Sequence, residues 1–318
     1  MLSVLRLGAP APETFDGSAP LPADAVWLDL HEPTRQEERA VEALVGVGLP
    51  TREDMVEIEP SSRLYYEGEV AVMTASLLSS SEKSSVPVLD PVTFVLAGQR
   101  LVTIRYSDPK PFRALIAHAE RQPQLFSCGA VALANLLEAI IDRIADILER
   151  TSAEVEDVSR QVFAQGRRDG YDDLLSQLGR SQSVNIKARE SLVSLSRMIS
   201  FCQTSTHMNE VEEARDLLAS QDRDVKSLTD HAGSVAGNVG FLLDAALGLI
   251  NIEQNQIIKV FSVFTVCLMP PTLIGAIYGM NFQHMPELSV PWAYPAALLA
   301  MAVSGLAPLL WFARKRWL

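Results

Sequence analysis

Two uncharged runs near the C-terminal end constrain this chain more than any other feature. Val260–Asn281, VFSVFTVCLMPPTLIGAIYGMN, contains no Asp, Glu, Lys or Arg, and neither does Leu288–Ala313. A helix rises about 1.5 Å per residue, so each run is long enough to cross a hydrocarbon core of about 30 Å. The loop between them has no Lys or Arg, whereas Arg314, Lys315 and Arg316 directly follow the second run. Basic residues stay on the cytoplasmic side, so the loop is expected outside and the C-terminus inside. The N-terminal stretch MLSVLRLGAPAPETF lacks the early charge and apolar core of a signal peptide. Both termini are therefore expected in the cytoplasm, with a membrane hairpin serving a large soluble body.

Charge is distributed unevenly around that hairpin. Of 27 basic and 39 acidic residues in 318, four basic and one acidic follow Gln256, which leaves the body at −15 and the tail at +3. Nucleic-acid phosphates would be repelled by such a body, so no nucleic-acid partner is expected. Cations suit it better, although acidity also simply keeps a cytosolic domain soluble. Cys128, Cys202 and Cys267 have no motif spacing, and the five histidines include no i,i+3 or i,i+4 pair. Neither a disulfide framework nor a zinc site is indicated.

The first 105 residues read as mixed α/β, with strand-like runs at Leu2–Leu7, Ala25–Leu30, Leu64–Leu78 and Pro91–Tyr106. The last resembles a hairpin turning at Ala97-Gly98-Gln99. Helical patterning covers Glu32–Val47, where Thr34 and Glu37 form a candidate capping box, and Arg52–Ile58. Asp108-Pro109 opens a helix to about Gln122. Long helices follow over Gly129–Gln165 and Asp169–Ser200, turning at Gly166-Arg167-Arg168.

From Val211, alternate steps of three and four reach Ala214, Leu218, Gln221, Val225, Leu228, Ala232, Val235, Val239, Leu242, Ala246 and Leu249. All but Gln221 are apolar, which is a coiled-coil type of seam suited to close packing among several helices. The alternative is an amphipathic helix packed on its own domain. No proline interrupts Met208–Met269, so one helix is expected to start near Met208 and run from the body into the membrane.

On that helix Asp244, Asn255, Ile258, Ser262, Thr265, Met269 and Thr272 are spaced 11, 3, 4, 3, 4 and 3 apart, which places them on one face. Polar side chains at membrane depth prefer a protein interior or a water-filled path. Such a face reads as the lining of a pore, with Ile258 and neighbouring Phe261 forming a greasy constriction. Hydroxyls bonded back to their own helix are the simpler account of Ser262, Thr265 and Thr272. Pro270 and Pro271 remove the donors that would serve the carbonyls of Val266 and Cys267. A kink there would widen the outer pore or adjust packing.

YGMNF at Tyr278–Phe282 and MPEL at Met285–Leu288, set between two C-terminal spans, resemble the CorA magnesium transporter family. NIEQNQIIKVFSVFTV at Asn251–Val266 and the terminal RKRWL are similar to its bacterial, enterobacterial-type branch, and AVWLDL at Ala25–Leu30 and SRLYYE at Ser62–Glu67 fit its soluble domain.

The resemblance implies an α+β cytoplasmic domain, a long stalk helix and a two-helix transmembrane hairpin, assembled as a pentameric funnel in the bacterial inner membrane. The expected segments are 1–206 for the cytoplasmic domain with its helical hairpin, 207–259 for the stalk and 260–281 for the first span. They continue with 282–289 for the periplasmic loop, 290–313 for the second span and 314–318 for the basic tail. Gly279, Met280 and Asn281 match the family's selectivity motif. Asp244, Asn255 and Met269 fall at its pore-lining positions, and Ile258 and Phe261 at its hydrophobic gate. Gln283-His284 replaces a frequent acidic residue, which leaves ion attraction at the mouth more to Glu287. Asp222 and Asp224 are candidates for a regulatory metal site on the stalk.

The resulting expectation is passive, potential-driven influx of Mg2+, with Co2+ and Ni2+ as further cargo, through a homopentamer gated by intracellular Mg2+. Mg2+ is thus both substrate and regulatory ligand; lipid bilayer and divalent cations are the other partners. No nucleotide is required, since no P-loop occurs. The alternatives are a zinc or other transition-metal transporter of the same superfamily, or a membrane-anchored regulatory protein that conducts nothing. With no nucleophile elbow, metal cluster or phosphate loop, the chain is not expected to be an enzyme.

Overall fold

The computed structural model describes residues 1–57, 59–79, 87–119, 122–164, 170–281 and 283–315. Ile58, the Gly166-Arg167-Arg168 turn, Phe282 of the mouth motif and Arg316–Leu318 of the tail lie outside the described residues. The chain divides into two compact units, Met1–Leu243 and Asp244–Leu318.

The first unit is organised by seven strands: β1 (Leu2–Arg6), β2 (Glu13–Phe15), β3 (Ala25–His31), β4 (Leu64–Glu67), β5 (Val70–Ser79), β6 (Val88–Ala97) and β7 (Arg100–Arg105). They form one sheet in the order β2-β1-β3-β7-β6-β5-β4. Only the β3–β7 pairing is parallel. The apolar run expected as one strand over Leu64–Leu78 is a hairpin, because Gly68 (φ 64°) takes the left-handed conformation that the turn requires. The short edge strand β2 carries too few residues for a periodic signal.

Both faces of the sheet are covered. On one side lie α1 (Arg35–Val45) and α2 (Arg52–Val56), and the single turn α3 (Pro60–Arg63) leads into β4. Val41 and Met55 are fully buried there in a cluster with Leu28, Val72, Val95 and Val102. The Thr34–Glu37 capping box forms as the sequence indicates, and Glu37 also accepts from the backbone of Leu2, which ties α1 to the edge of β1. On the other side lie α4 (Lys110–Ala119), α5 (Gly129–Phe163) and α6 (Tyr171–Cys202), over Trp27, Phe94, Leu96 and Leu101.

The entry to α5 is a close backbone approach. Gly129 N–H donates to Gln99 O at 2.7 Å, and a Cβ on Gly129 would stand 2.4 Å from the carbonyl carbon of Arg100. Only glycine lets the helix start against the β6–β7 turn. Between β3 and β7, Asp29 accepts from Thr103 and from Arg105, whose guanidinium continues to Asp108. Asp29 and Arg105 are both 5% exposed at the side chain, and this pair is well supplied with hydrogen bonds, as a buried ion pair must be.

After the short α7 (Thr206–Asn209), α8 runs without a break over Glu212–Tyr278. It begins at Glu212 rather than near Met208, because Met208 belongs to α7. At 67 residues it is about 100 Å long. The seam on its first half packs against this chain's own α5 and α6, which is the alternative of a helix packed on its own domain. Ala214, Leu218, Val225 and Ala232 are buried in one cluster with Leu133, Leu137 and Ile141 of α5 and Ala188 and Leu192 of α6. Gln221, the single polar seam residue, donates through Nε2 to Ala134 O at 2.8 Å. Asn185 on α6 donates to Ala232 O at 2.9 Å. Two buried amides thus fasten α8 to α5 and α6, each contributing about 1 kcal/mol net. The hairpin α5–α6 is long enough to take this face, so the small seam residues serve close packing inside one chain.

In the second unit α8 continues to Tyr278 and is followed by a 3-10 turn, Pro286–Ser289, and by α9 (Ala293–Arg314).

Candidate ion pathway

α8 and α9 are the two helices among the described residues long and apolar enough to cross a membrane, with mean hydropathy 2.0 and 1.9 over their most apolar windows. Their mutual packing decides which face of α8 is left open. Val263 and Cys267 are buried, Pro270, Pro271 and Ile274 are half-buried, and all five fall on one side of α8. A Cβ on Gly305 of α9 would lie 3.2 Å from Cys267 O and 3.3 Å from Pro271 Cγ. Gly275 faces Met301 in the same way, with a Cβ there 3.9 Å from Met301 Cε.

The residues expected to line a pore lie on the other side. At 3.6 residues per turn, Asp244, Asn255, Ile258, Ser262, Thr265, Met269 and Thr272 share an arc of about 100°, and the centre of the α9-covered face is about 145° away. All seven are exposed, as is Phe261. Ile258, Phe261 and Met269, although apolar, are 53%, 69% and 63% exposed. α9 therefore covers the opposite side of α8 and leaves the polar line, with Ile258 and Phe261, uncovered.

Two of the hydroxyls on that line are held by their own helix. Thr265 Oγ1 donates to Phe261 O at 2.8 Å and Thr272 Oγ1 to Leu268 O at 2.7 Å. The bond directs each hydroxyl proton to its own helix and leaves both lone pairs of the oxygen able to accept from a water. The Pro270-Pro271 pair does not end the helix. The Cys267 carbonyl, deprived of its donor by Pro271, lies against Gly305.

At the C-terminal end of α8 Gly279 N–H donates to Gly275 O at 3.0 Å and Met280 N–H to Ile277 O at 3.2 Å, closing the last turn. A Cβ on Gly279 would stand 3.2 Å from Gly275 O. Asn281 follows in non-helical backbone and is exposed. Met280 is 49% exposed. Glu287 is exposed on the 3-10 turn Pro286–Ser289.

The two stalk aspartates in the first unit differ. Asp222 is ion-paired to Lys226 at 2.6 Å. Asp224 instead faces α5, where it lines a small cavity of about 90 Å³ with Glu138, Asp142 and Gln221. Burial, then the charges of Asp142 and Asp224, hold the Glu138 carboxyl above its usual range. Asp142 is raised by burial, then by Asp146 and Asp224. The amide oxygen of Gln221 is buried there without a hydrogen-bond partner. Sequence reasoning missed Glu138 and Asp142, since only their i,i+4 spacing on α5 marks them and the partner is some 80 residues away. Among the described residues no group of three or more His, Cys, Asp or Glu is placed to hold a metal ion by itself.

Over residues 22–316 the sequence matches the family described as CorA-like Mg2+ transporter protein. It is 36% identical over 297 residues to the magnesium transport protein CorA of Salmonella typhimurium, covering 93% of this chain and 92% of that one. It is equally similar, 36% over 303 residues, to the magnesium transport protein CorA of Escherichia coli K12, covering 95% and 94%. The complete structure of the CorA magnesium transporter from Methanocaldococcus jannaschii superposes with a TM-score of 0.79 at 18% identity, over 100% of this chain and 99% of that one, which shows a shared fold. The chain belongs to the CorA-like Mg2+ transporter family, whose members are ion transporters or channels and not enzymes.

Proposed function

We propose that this chain carries Mg2+ passively into the cell through a homopentameric pore in the bacterial inner membrane, with both termini in the cytoplasm. The observation that carries this reading is the uncovered line on α8, from Asp244 to Thr272, leading to Gly279-Met280-Asn281. A membrane helix whose own partner covers only its apolar back needs other copies to cover its polar front. A ring of such helices puts that front around an axis.

Magnesium releases its water reluctantly and demands octahedral geometry. A ring of Asn281 carboxamides and Gly279 carbonyls accepts hydrogen bonds from the ion's waters, so selection acts on the hydrated ion. Neutral Asn281 also lets the ion leave again. Glu287 attracts cations to the mouth. Beyond it, Thr272, Met269, Thr265, Ser262 and Asn255 line the path, and Asp244 receives the ion at the cytoplasmic end. A membrane potential of about 100 mV supplies about 4.6 kcal/mol for two charges, so no nucleotide drives the step. Co2+ and Ni2+ follow the same path as similarly hydrated ions.

Ile258 and Phe261 close the path by dewetting when their ring narrows. Intracellular Mg2+ favours the closed state by bridging carboxylates on the stalks. Asp224, next to the mutually repelling Glu138 and Asp142, is the better placed of the two stalk aspartates, because Asp222 is already neutralised by Lys226. Loss of the cation shifts the population toward open.

The test is Mg2+ flux into liposomes holding the purified protein, with and without internal Mg2+. Flux is expected, reduced by internal Mg2+ and lost in Asn281→Ala. Absent flux favours a non-conducting membrane protein. Flux of Zn2+ in preference to Mg2+ in a competition assay favours the transition-metal reading.

A further inference from the structure

A second candidate site lies in the first unit. β4 ends opposite Met73, so Ser76 on β5 has no strand on that side. Its backbone is taken up by α6: Ser76 N–H donates to Ser194 Oγ at 3.0 Å, and Ser76 O accepts from Ser191 Oγ at 2.8 Å. The helix is thereby held along the sheet, and a cavity of about 650 Å³ opens between them.

Three guanidiniums line that cavity: Arg63 from the end of α3, and Arg189 and Arg197 from α6. Arg63 is fixed by bonds from Nε to Glu57 O and from Nη1 to Ser76 Oγ. Burial, then the Arg197 charge, holds its pKa below the usual value, so the two guanidiniums are close and repel. Neither Arg189 nor Arg197 has a hydrogen-bond or ion-pair partner among the described residues. Glu190 is the one carboxylate among the described lining residues, and it bridges none of the three. In a chain with net charge −12, three arginines gathered around one cavity, with no carboxylate paired to them among the described residues, are a local excess of positive charge. The remaining lining is Leu64, Leu89, Ile186 and Val193, with Thr74.

We propose that this groove binds a small organic phosphate, of which a nucleoside phosphate is the type. The planar fork of Arg197 and the remaining Nη donors of Arg63 match phosphate oxygens, and the aliphatic walls cover an apolar or flat body. Inorganic phosphate alone would leave those walls wet. Such a ligand bears on the cytoplasmic unit and not on the driving force for transport.

The test is calorimetric titration of the full-length protein in detergent, in EDTA so that no Mg2+ complex forms, with AMP, adenosine and inorganic phosphate as probes. AMP is expected to bind saturably, and adenosine and inorganic phosphate each at least about tenfold more weakly, since each lacks one half of the recognition. Arg197→Gln is expected to weaken AMP about tenfold, the loss of one charge-assisted contact. Val193→Asp, at a half-exposed position one turn from both Arg189 and Arg197, should weaken it by repulsion and does not depend on folding of the first variant. Binding should also fall as salt rises. Absence of saturable AMP binding, AMP binding unchanged in both variants, or inorganic phosphate binding as tightly as AMP would each overturn the proposal.

Discussion

Gly305 of α9 lies against the carbonyl of Cys267 on α8, the carbonyl that Pro271 leaves without its helical donor. A Cβ on Gly305 would sit 3.2 Å from that oxygen. In a membrane a carbonyl freed by proline must be served by a neighbouring group or by water, and a glycine at 305 keeps a side chain from crowding this one. Small residues allow such close helix contact where no hydrophobic force drives it. The same contact holds the back of α8 and so decides which face remains open.

Gly305→Ala should be accommodated with a small loss, because the crowding is a few tenths of an ångström. Gly305→Leu should separate α9 from α8 and destabilise the second unit by about 1–3 kcal/mol. Thermal unfolding in detergent, read beside Mg2+ flux, checks this. An unfolding temperature for Gly305→Leu equal to that of the unmodified chain would count against the contact.

Thr272→Val separates two roles of one hydroxyl. Valine keeps the shape and removes only the oxygen. If Thr272 Oγ1 serves nothing but Leu268 O, flux is unchanged. The pore reading predicts a several-fold drop in Mg2+ flux with unchanged helix content, measured by stopped-flow with a Mg2+ dye and by circular dichroism.

Ile258→Asn places a hydrophilic ring where dewetting is proposed to close the path. The variant should conduct at internal Mg2+ concentrations that silence the unmodified protein. Flux still suppressed by internal Mg2+ in this variant would remove Ile258 from the gate.

Glu138 and Asp142 give a pH dependence of definite sign. Both carboxyls are held above their ordinary values of 4.5 and 3.8, so the folded state keeps their protons to higher pH than the unfolded chain does. In that window the folded state binds more protons, and stability falls as pH rises from these values through the raised ones. The loss persists at neutral pH. Glu138→Gln should therefore raise the unfolding temperature at pH 7.5 and flatten the acid-side rise. Added Mg2+ should stabilise the unmodified protein more than this variant. Identical melting curves for the two proteins at every pH would refute the argument.

Much of the site was legible in the sequence because it is local. The two spans, the continuity of α8, the Thr34–Glu37 capping box and the shared face from Asp244 to Thr272 each depend on spacing within one element. The Leu64–Glu67 and Val70–Ser79 hairpin was not legible as two strands, because apolar residues run through the turn and only Gly68 breaks them. The seam from Val211 to Leu249 announced close packing but could not name its partner. Met280 shows the same limit in reverse, since the motif says nothing of whether its side chain is packed.

The sequence by itself determined what each face of each helix is made of: an apolar span, a small-residue seam, a polar line and a Gly-Met-Asn end. Spacing along a helix is set by backbone geometry, so these faces exist before anything packs. Tertiary structure decided what covers each of them. The seam went to α5 and α6 through Gln221 and Asn185, the apolar back of α8 went to α9 through Gly305, and the polar line was left open. It also brought together residues with no relation along the chain, Glu138 with Asp224 and Arg63 with Arg197. The physical reason is that burial and charge depend on what arrives from elsewhere in the chain, and no local pattern carries that information.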